Sequence, residues 1–135
     1  MSGKLFFDTN VLVYAFTADD ARNDDAEQLL AMGGIVSVQV LNEFVNVSRA
    51  KHRRSWDEVD RTLDIIRTIL DPPLPLTMAL HAKAVEIARR YRFKFYDSLI
   101  VAAALSANCN LLLTEDLQDG QKIEDMIVRN PFRTQ

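Results

Sequence analysis

Short apolar runs that stop abruptly at polar residues alternate along this chain with longer stretches whose apolar positions recur at helical intervals. The clearest stop comes first. Lys4-Leu5-Phe6-Phe7 ends in Asp8-Thr9-Asn10, the pattern of a buried strand leaving a sheet at a polar crevice. Val11 to Phe16 then reads as a short buried helix, and Asp19-Asp20 precedes Ala26, Leu29, Leu30 and Met32, which share one helical face closed by Gly33-Gly34. Ile35 to Val38 predicts a second strand. From Gln39 to about Ala50, Val40, Leu41, Phe44, Val45 and Val47 share one side of a helix, while Gln39, Asn42, Glu43, Asn46 and Arg49 share the other. Ser55-Trp56-Asp57-Glu58 predicts the capped start of a helix carrying Val59, Leu63, Ile66, Ile69 and Leu70, which Asp71-Pro72-Pro73 terminates. Leu74-Pro75-Leu76 is too rich in proline for a central strand and reads as an edge strand or extended linker. Thr77 to about Arg92 is a further helix, and Asp97 heads the apolar helix Leu99 to Leu105. Leu111 to Leu113 is a strand ending at Thr114-Glu115-Asp116, and Met126 to Val128 a last short one. This alternation predicts a parallel sheet covered on both faces.

At 135 residues the chain has room for one domain, expected over 1–135. Hydrophobic residues make up 48% and charged residues 26%, and no apolar run approaches the length of a bilayer span, so no membrane partner is expected. Met1-Ser2-Gly3-Lys4 runs straight into the first strand without the pattern of a secretory signal, which predicts a cytoplasmic protein. The lone Cys109 predicts a small packed hydrophobe, and His52 and His81 stand in no zinc-ligand spacing. A net charge of −3 argues against a broadly basic coat but leaves room for a local basic strip beside an acidic site.

Four carboxylates stand out by context. Asp8 and Asp116 each follow a strand, Asp97 opens a helix and Glu43 lies on a helix's polar side. Singly, each has an ordinary role, Asp8 and Asp97 as helix caps, Asp116 as a turn residue and Glu43 as a solvated side chain. Parallel sheets, however, bring strand exits to one rim, where gathered carboxylates repel until protons or cations intervene. Hard oxygen ligands of this kind suit Mg²⁺ or Mn²⁺, ions that bind phosphate oxygens.

The residues at these positions resemble those of the PIN-domain ribonucleases, and among them the VapC-type toxins of toxin–antitoxin modules. Phe7-Asp8-Thr9-Asn10-Val11-Leu12-Val13-Tyr14, Val40-Leu41-Asn42-Glu43-Phe44, Tyr96 to Ala104 and Leu112-Leu113-Thr114-Glu115-Asp116 resemble the family's four motifs in order and spacing, and Asn130-Pro131-Phe132 resembles its usual ending. The resemblance implies a three-layer α/β/α sandwich around a mostly parallel sheet, with Asp8, Glu43, Asp97 and Asp116 as the metal pocket. It also implies endonucleolytic cutting of RNA, a VapB-type antitoxin partner and a homodimer.

At the fourth position Glu115 or Asp119 could share the ligand role with Asp116. Thr9 and Thr114 could orient the ligating carboxylates or a phosphate, or simply cap strand ends, and Asn10 could orient Asp8 or start the next helix. Water activated by a bound cation would leave 5′-phosphate and 3′-hydroxyl ends, and with no well-placed histidine this route is favoured over general acid–base work by imidazole. RNA contact is expected from the basic runs, through Arg49, Lys51, Arg53 and Arg54 in one and Arg92 and Lys94 in the other. Their alternative role is cations at helix C-termini. Leu29, Leu30, Met32, Trp56 and Val59 belong either to the core or to an apolar groove for an antitoxin segment. Two competing functions carry the same residues: a catalytically silent RNA- or protein-binding module with a structural metal site, and a DNA-directed nuclease.

Overall fold

Three consecutive buried residues, Leu5–Phe7, form β1, and because neighbouring strand residues point to opposite faces, both faces of this strand are covered. A computed structural model of the chain describes residues 4–132, so Met1–Gly3, expected to run straight into the first strand, lie outside the described residues. Six helices follow: α1 (Thr9–Ala15), α2 (Asn23–Ala31), α3 (Val38–Ala50), α4 (Trp56–Ile69), α5 (Met78–Tyr91) and α6 (Phe95–Ser106). The chain then returns to the sheet as β2 (Leu111–Leu113), β3 (Lys122–Ile123) and β4 (Met126–Arg129). The strand order is β1-β2-β4-β3, parallel from β1 to β4, with β3 antiparallel at the edge. Together the helices and this sheet form the expected α/β/α architecture. No helix among the described residues is long and apolar enough to cross a membrane.

The strand expected at Ile35 to Val38 is shorter than the sequence predicted. Ile35 bridges Phe6 in parallel and Ser37 bridges Leu74, but Val38 already begins α3, with Ser37 as its cap. Proline on both sides of Leu74 removes the N–H groups that would extend the pairing, so the edge stays at single bridges. Gly34 permits the approach to β1, since a Cβ there would meet Phe7 Cε2 at 2.6 Å and the Leu5 carbonyl at 2.8 Å.

These bridges matter for function because they fix where the topology reverses. From β1 the chain moves outward to Ile35 and then to Leu74, and it returns on the other side of β1 as β2. The crevice beyond the carboxyl ends of β1 and β2 is therefore the switch point where open α/β sheets bind ligands.

Packing accounts for the rest. Ser98 to Ala104 on α6 are all buried, as expected of a helix apolar on every side, and α6 packs mainly on α5. It begins at Phe95, two residues earlier than the sequence reading, so Asp97 sits inside the first turn and does not cap it. The cap at Ser55 forms as predicted, with Glu58 N–H donating to Ser55 Oγ at 3.2 Å and Ser55 N–H donating to Glu58 Oε1 at 3.1 Å. Of the residues weighed for a groove, Leu30 and Val59 are buried in the core, whereas Met32 and Trp56 are exposed. Cys109 is buried, and burial pushes its thiol up to about 11.

Candidate active site

The site begins where β1 stops. Asp8 is buried, accepts from Thr9 N–H through Oδ1 at 2.6 Å, and accepts from the Thr114 hydroxyl through Oδ2 at 2.6 Å. One oxygen thus caps α1 while the other ties the end of β1 to the end of β2. Thr114 Oγ1 also accepts from Asp116 N–H at 3.0 Å, and Asn10 Nδ2 reaches Thr114 Oγ1 at 3.4 Å and Asp116 Oδ2 at 3.2 Å. Asp8, Asn10, Thr114 and Asp116 therefore form one hydrogen-bonded group across the switch point.

Glu43 enters from α3. Its Oε2 accepts from Gln39 Nε2 at 2.9 Å and its Oε1 from Thr9 Oγ1 at 3.4 Å. Gln39, expected on the helix's polar side, is buried beneath it. One helical turn separates the two residues, which is the spacing that lets the amide reach the carboxylate. Asp97 arrives from the first turn of α6 and makes no side-chain hydrogen bond among the described residues.

Charge shows how closely these acids face one another. Burial pushes Asp8 up to about 7, opposed by the hydrogen bonds from Thr114 and Thr9 and reinforced by Asp116 and Glu43. Glu43 is raised by burial first, then by Asp97 and Asp116 against its hydrogen bonds from Gln39 and Thr9. Asp97 is raised by burial and by Asp116, with Lys94 pulling the other way. All four acids thus gather at one rim. Among the described residues, no three His, Cys, Asp or Glu side chains already converge as a finished ligand cluster. The donor set nonetheless fits a hard divalent cation, being all oxygen and strongly anionic, and Asn10 Oδ1 beside it is buried without a hydrogen-bond partner.

The other candidates separate clearly. Glu115 turns away from Asp116, accepting from the Tyr14 hydroxyl and pairing with Arg22 at 3.4 Å. Arg22 also lies 3.7 Å from the Tyr14 ring centre and pairs with Asp20 at 2.9 Å. Asp119 accepts from Asn130 N–H at 2.8 Å. Arg49 donates to the Arg54 carbonyl and covers Trp56, while Arg54 donates to the Phe16 carbonyl. Arg53 is exposed. Lys51, Arg92 and Lys94 instead line recesses that border the acids. Sequence reasoning missed Gln39, Tyr14 and Arg22, and only the four-residue spacing of Gln39 and Glu43 signalled any of them.

The molecule is similar in fold to a toxin–antitoxin complex from Klebsiella pneumoniae (21% identity, 97% of this chain and all of that one, TM-score 0.73) and to the sarcin-ricin loop cleaving toxin VapC20 of Mycobacterium tuberculosis (21% identity, 84% and 92%, TM-score 0.69). VapBC2 from Rickettsia felis, solved on a promoter DNA fragment, is likewise similar (22% identity, 93% and 96%, TM-score 0.67). No curated protein sequence matches the chain. The sequence profile of the PIN domain matches residues 5–119, and with the sheet order and acidic rim described above it establishes that this chain belongs to the PIN domain family.

Proposed function

We propose that this chain is a divalent-metal-dependent endoribonuclease, the toxin of a toxin–antitoxin pair. The observation that carries this reading is the gathering of Asp8, Glu43, Asp97 and Asp116 at the β1/β2 switch point, where burial and their own charges raise the proton affinity of the first three. These four would hold Mg²⁺ or Mn²⁺. When bound, such a cation acidifies water and polarises a phosphate oxygen.

The chain's own residues supply order and position. Thr114 and the Thr9 N–H fix both oxygens of Asp8, so the carboxylate nearest the sheet keeps one orientation. Asn10 ties Thr114 to Asp116 through Nδ2, while its Oδ1 is buried without a partner. Gln39 and Thr9 do for Glu43 what Thr114 does for Asp8. Attack by water in line with the leaving oxygen gives 5′-phosphate and 3′-hydroxyl ends.

An antitoxin partner is supported by the likeness to toxins solved in toxin–antitoxin complexes and by exposed Met32, Trp56, Ile65 and Ile69 at the end of α2 and along α4. Self-association is supported by exposed Leu76, Met78 and Val85, and the mass of the purified protein in solution checks it.

Purified protein should cut RNA with Mg²⁺ or Mn²⁺, stop in EDTA and leave the ends named above. Activity unaffected by EDTA, or cyclic-phosphate ends, would overturn the mechanism. Parallel digestion of DNA tests the alternative substrate, and wild-type protein that binds RNA without cutting it would favour the silent module. Expression should arrest growth unless Asp8 is changed to Asn or a small protein encoded alongside is co-expressed.

A further inference from the structure

Two recesses meet at Asp116. One, of about 500 Å³, is lined by Arg92, Phe93, Lys94, Asp97 and Asp116, within the size range of small-ligand sites. The other, of about 210 Å³, is lined by Asn10, Tyr14, Glu43, Lys51 and Asp116 among others. Each therefore carries two acids, Asp116 being common to both, and an aromatic ring, with two cations in the walls of the larger recess and one in the smaller.

The cations in these walls differ from Arg49, Arg54 and Arg90, which are engaged elsewhere, and from Arg53, which is exposed but lines neither recess. Arg49 and Arg54 are tied to backbone carbonyls, and Arg90 lies over the Tyr91 ring. Among the described residues, Lys51, Arg92 and Lys94 make no ion pair within 4.0 Å and no side-chain hydrogen bond. Arg92 also occupies the left-handed position that ends α5, at φ 60 and ψ 34, where a helix end ordinarily takes glycine. A long cation thus stands where a residue without a side chain would suit the backbone better, as Arg53 also does at φ 52, but Arg92 borders the recess that holds Asp97.

Taking the site as a ribonuclease centre, we propose that Arg92 and Lys94 on one side of Asp116 and Lys51 on the other grip the phosphates flanking the scissile bond of a single-stranded RNA lying across the two recesses. Free cations on both sides and acids in the middle match a strand whose central phosphate meets the acidic rim and whose neighbouring phosphates need counter-charge. Phe93, stacked on Tyr91 in the wall of the larger recess, offers ring surface to an unpaired base, which a duplex keeps stacked inside its own helix.

The test is anisotropy of a short labelled single-stranded RNA across a salt series, in an Asp8→Asn background with Mg²⁺ present so that the strand stays whole. Arg92→Gly, Lys94→Ala and Lys51→Ala should each weaken binding and lower the slope of log affinity against log salt by about 0.7, and the triple variant by about 2. Arg67→Ala, which removes an exposed cation paired with Asp64, should leave the slope unchanged. Arg92→Gly should melt no lower than its parent, because glycine accepts the left-handed backbone, so its loss of binding cannot be charged to misfolding. Unchanged slopes in all three, an equal drop in Arg67→Ala, or equal affinity for a duplex of the same length would overturn the proposal. Cleavage is not read in this assay. Protein that shows the expected slopes but never cuts RNA overturns the nuclease reading alone, and intact cutting with flat slopes overturns the strand path alone.

Discussion

The two sides of the acidic rim are built differently. On the β1/β2 side, Asp8 and Asp116 belong to a group joined through Thr114 and Asn10, and Glu43 is held by Thr9 and Gln39. On the α6 side, Asp97 has only burial, the field of Asp116 and the opposing charge of Lys94. The first side holds its geometry through hydrogen bonds of its own. The second is positioned by its helix alone, which leaves its carboxylate free to adjust to whatever charge arrives.

This contrast is open to test, and the largest expected effect is on activity. Asp8→Asn and Asp97→Asn should each lower RNA cleavage by more than about 100-fold, because either removes a charged ligand from the proposed metal site. Only Asp8→Asn should also change the melting temperature of the metal-free protein appreciably, since only Asp8 is fully buried and hydrogen-bonded there. Equal thermal shifts in the two variants would erase the distinction between the sides.

Next comes Thr114→Val, which keeps shape but removes the hydroxyl that donates to Asp8 and accepts from Asp116 N–H. It should lower activity or metal affinity by about 10–100-fold and stability by about 1–3 kcal/mol, read from a metal titration and from denaturant unfolding. No single substitution around Asp97 should do the same.

The pH dependence of stability has a definite sign. In EDTA the folded chain holds a proton on Asp8 up to about pH 7, whereas the unfolded chain releases it near its ordinary 3.8. Protonation thus favours the fold, with the contribution complete below about pH 4 and lost as pH rises through about 7, on the order of 4 kcal/mol in all. Raised Glu43 and Asp97 act in the same direction. Chemical unfolding followed from pH 4 to 8 should show this fall in the wild type, a flatter curve in Asp8→Asn, and recovery at neutral pH when Mg²⁺ is added.

Arg22→Ala should have the smallest effect. The guanidinium is part-exposed, so its pairs with Asp20 and Glu115 and its place over Tyr14 should contribute only about 0–1 kcal/mol. Cleavage should fall by less than about 10-fold, as expected of a brace one residue removed from Asp116. A larger loss, measured in kcat with KM unchanged, would extend the hydrogen-bonded side of the rim as far as α2.

Much of this was legible in the residues because burial and polarity change together at strand exits. Leu5–Phe7 and Leu111–Leu113 announced both central strands and, with them, the positions of Asp8 and Asp116. Periodicity placed Glu43 on α3 but assigned Gln39 to solvent, since the elements that cover it come from elsewhere in the chain. It overextended the Ile35 strand because an apolar run reports burial and says nothing of the hydrogen bonds that its proline-flanked neighbour withholds. It passed over β3, whose two residues are too few to show alternation. Nor could spacing sort the basic runs, for which of six cations stays free depends on which carbonyls and rings the fold brings within reach.

The lone sulfhydryl offers a practical consequence. Cys109 lies just before β2, shielded and poorly ionised in the folded chain. A thiol reagent should therefore modify it only when the region around β2 opens. The rate of that modification becomes a native clock for local opening, read without any added dye or engineered label, and its slowing on addition of Mg²⁺ or RNA would report how firmly each closes the sheet beneath the acids.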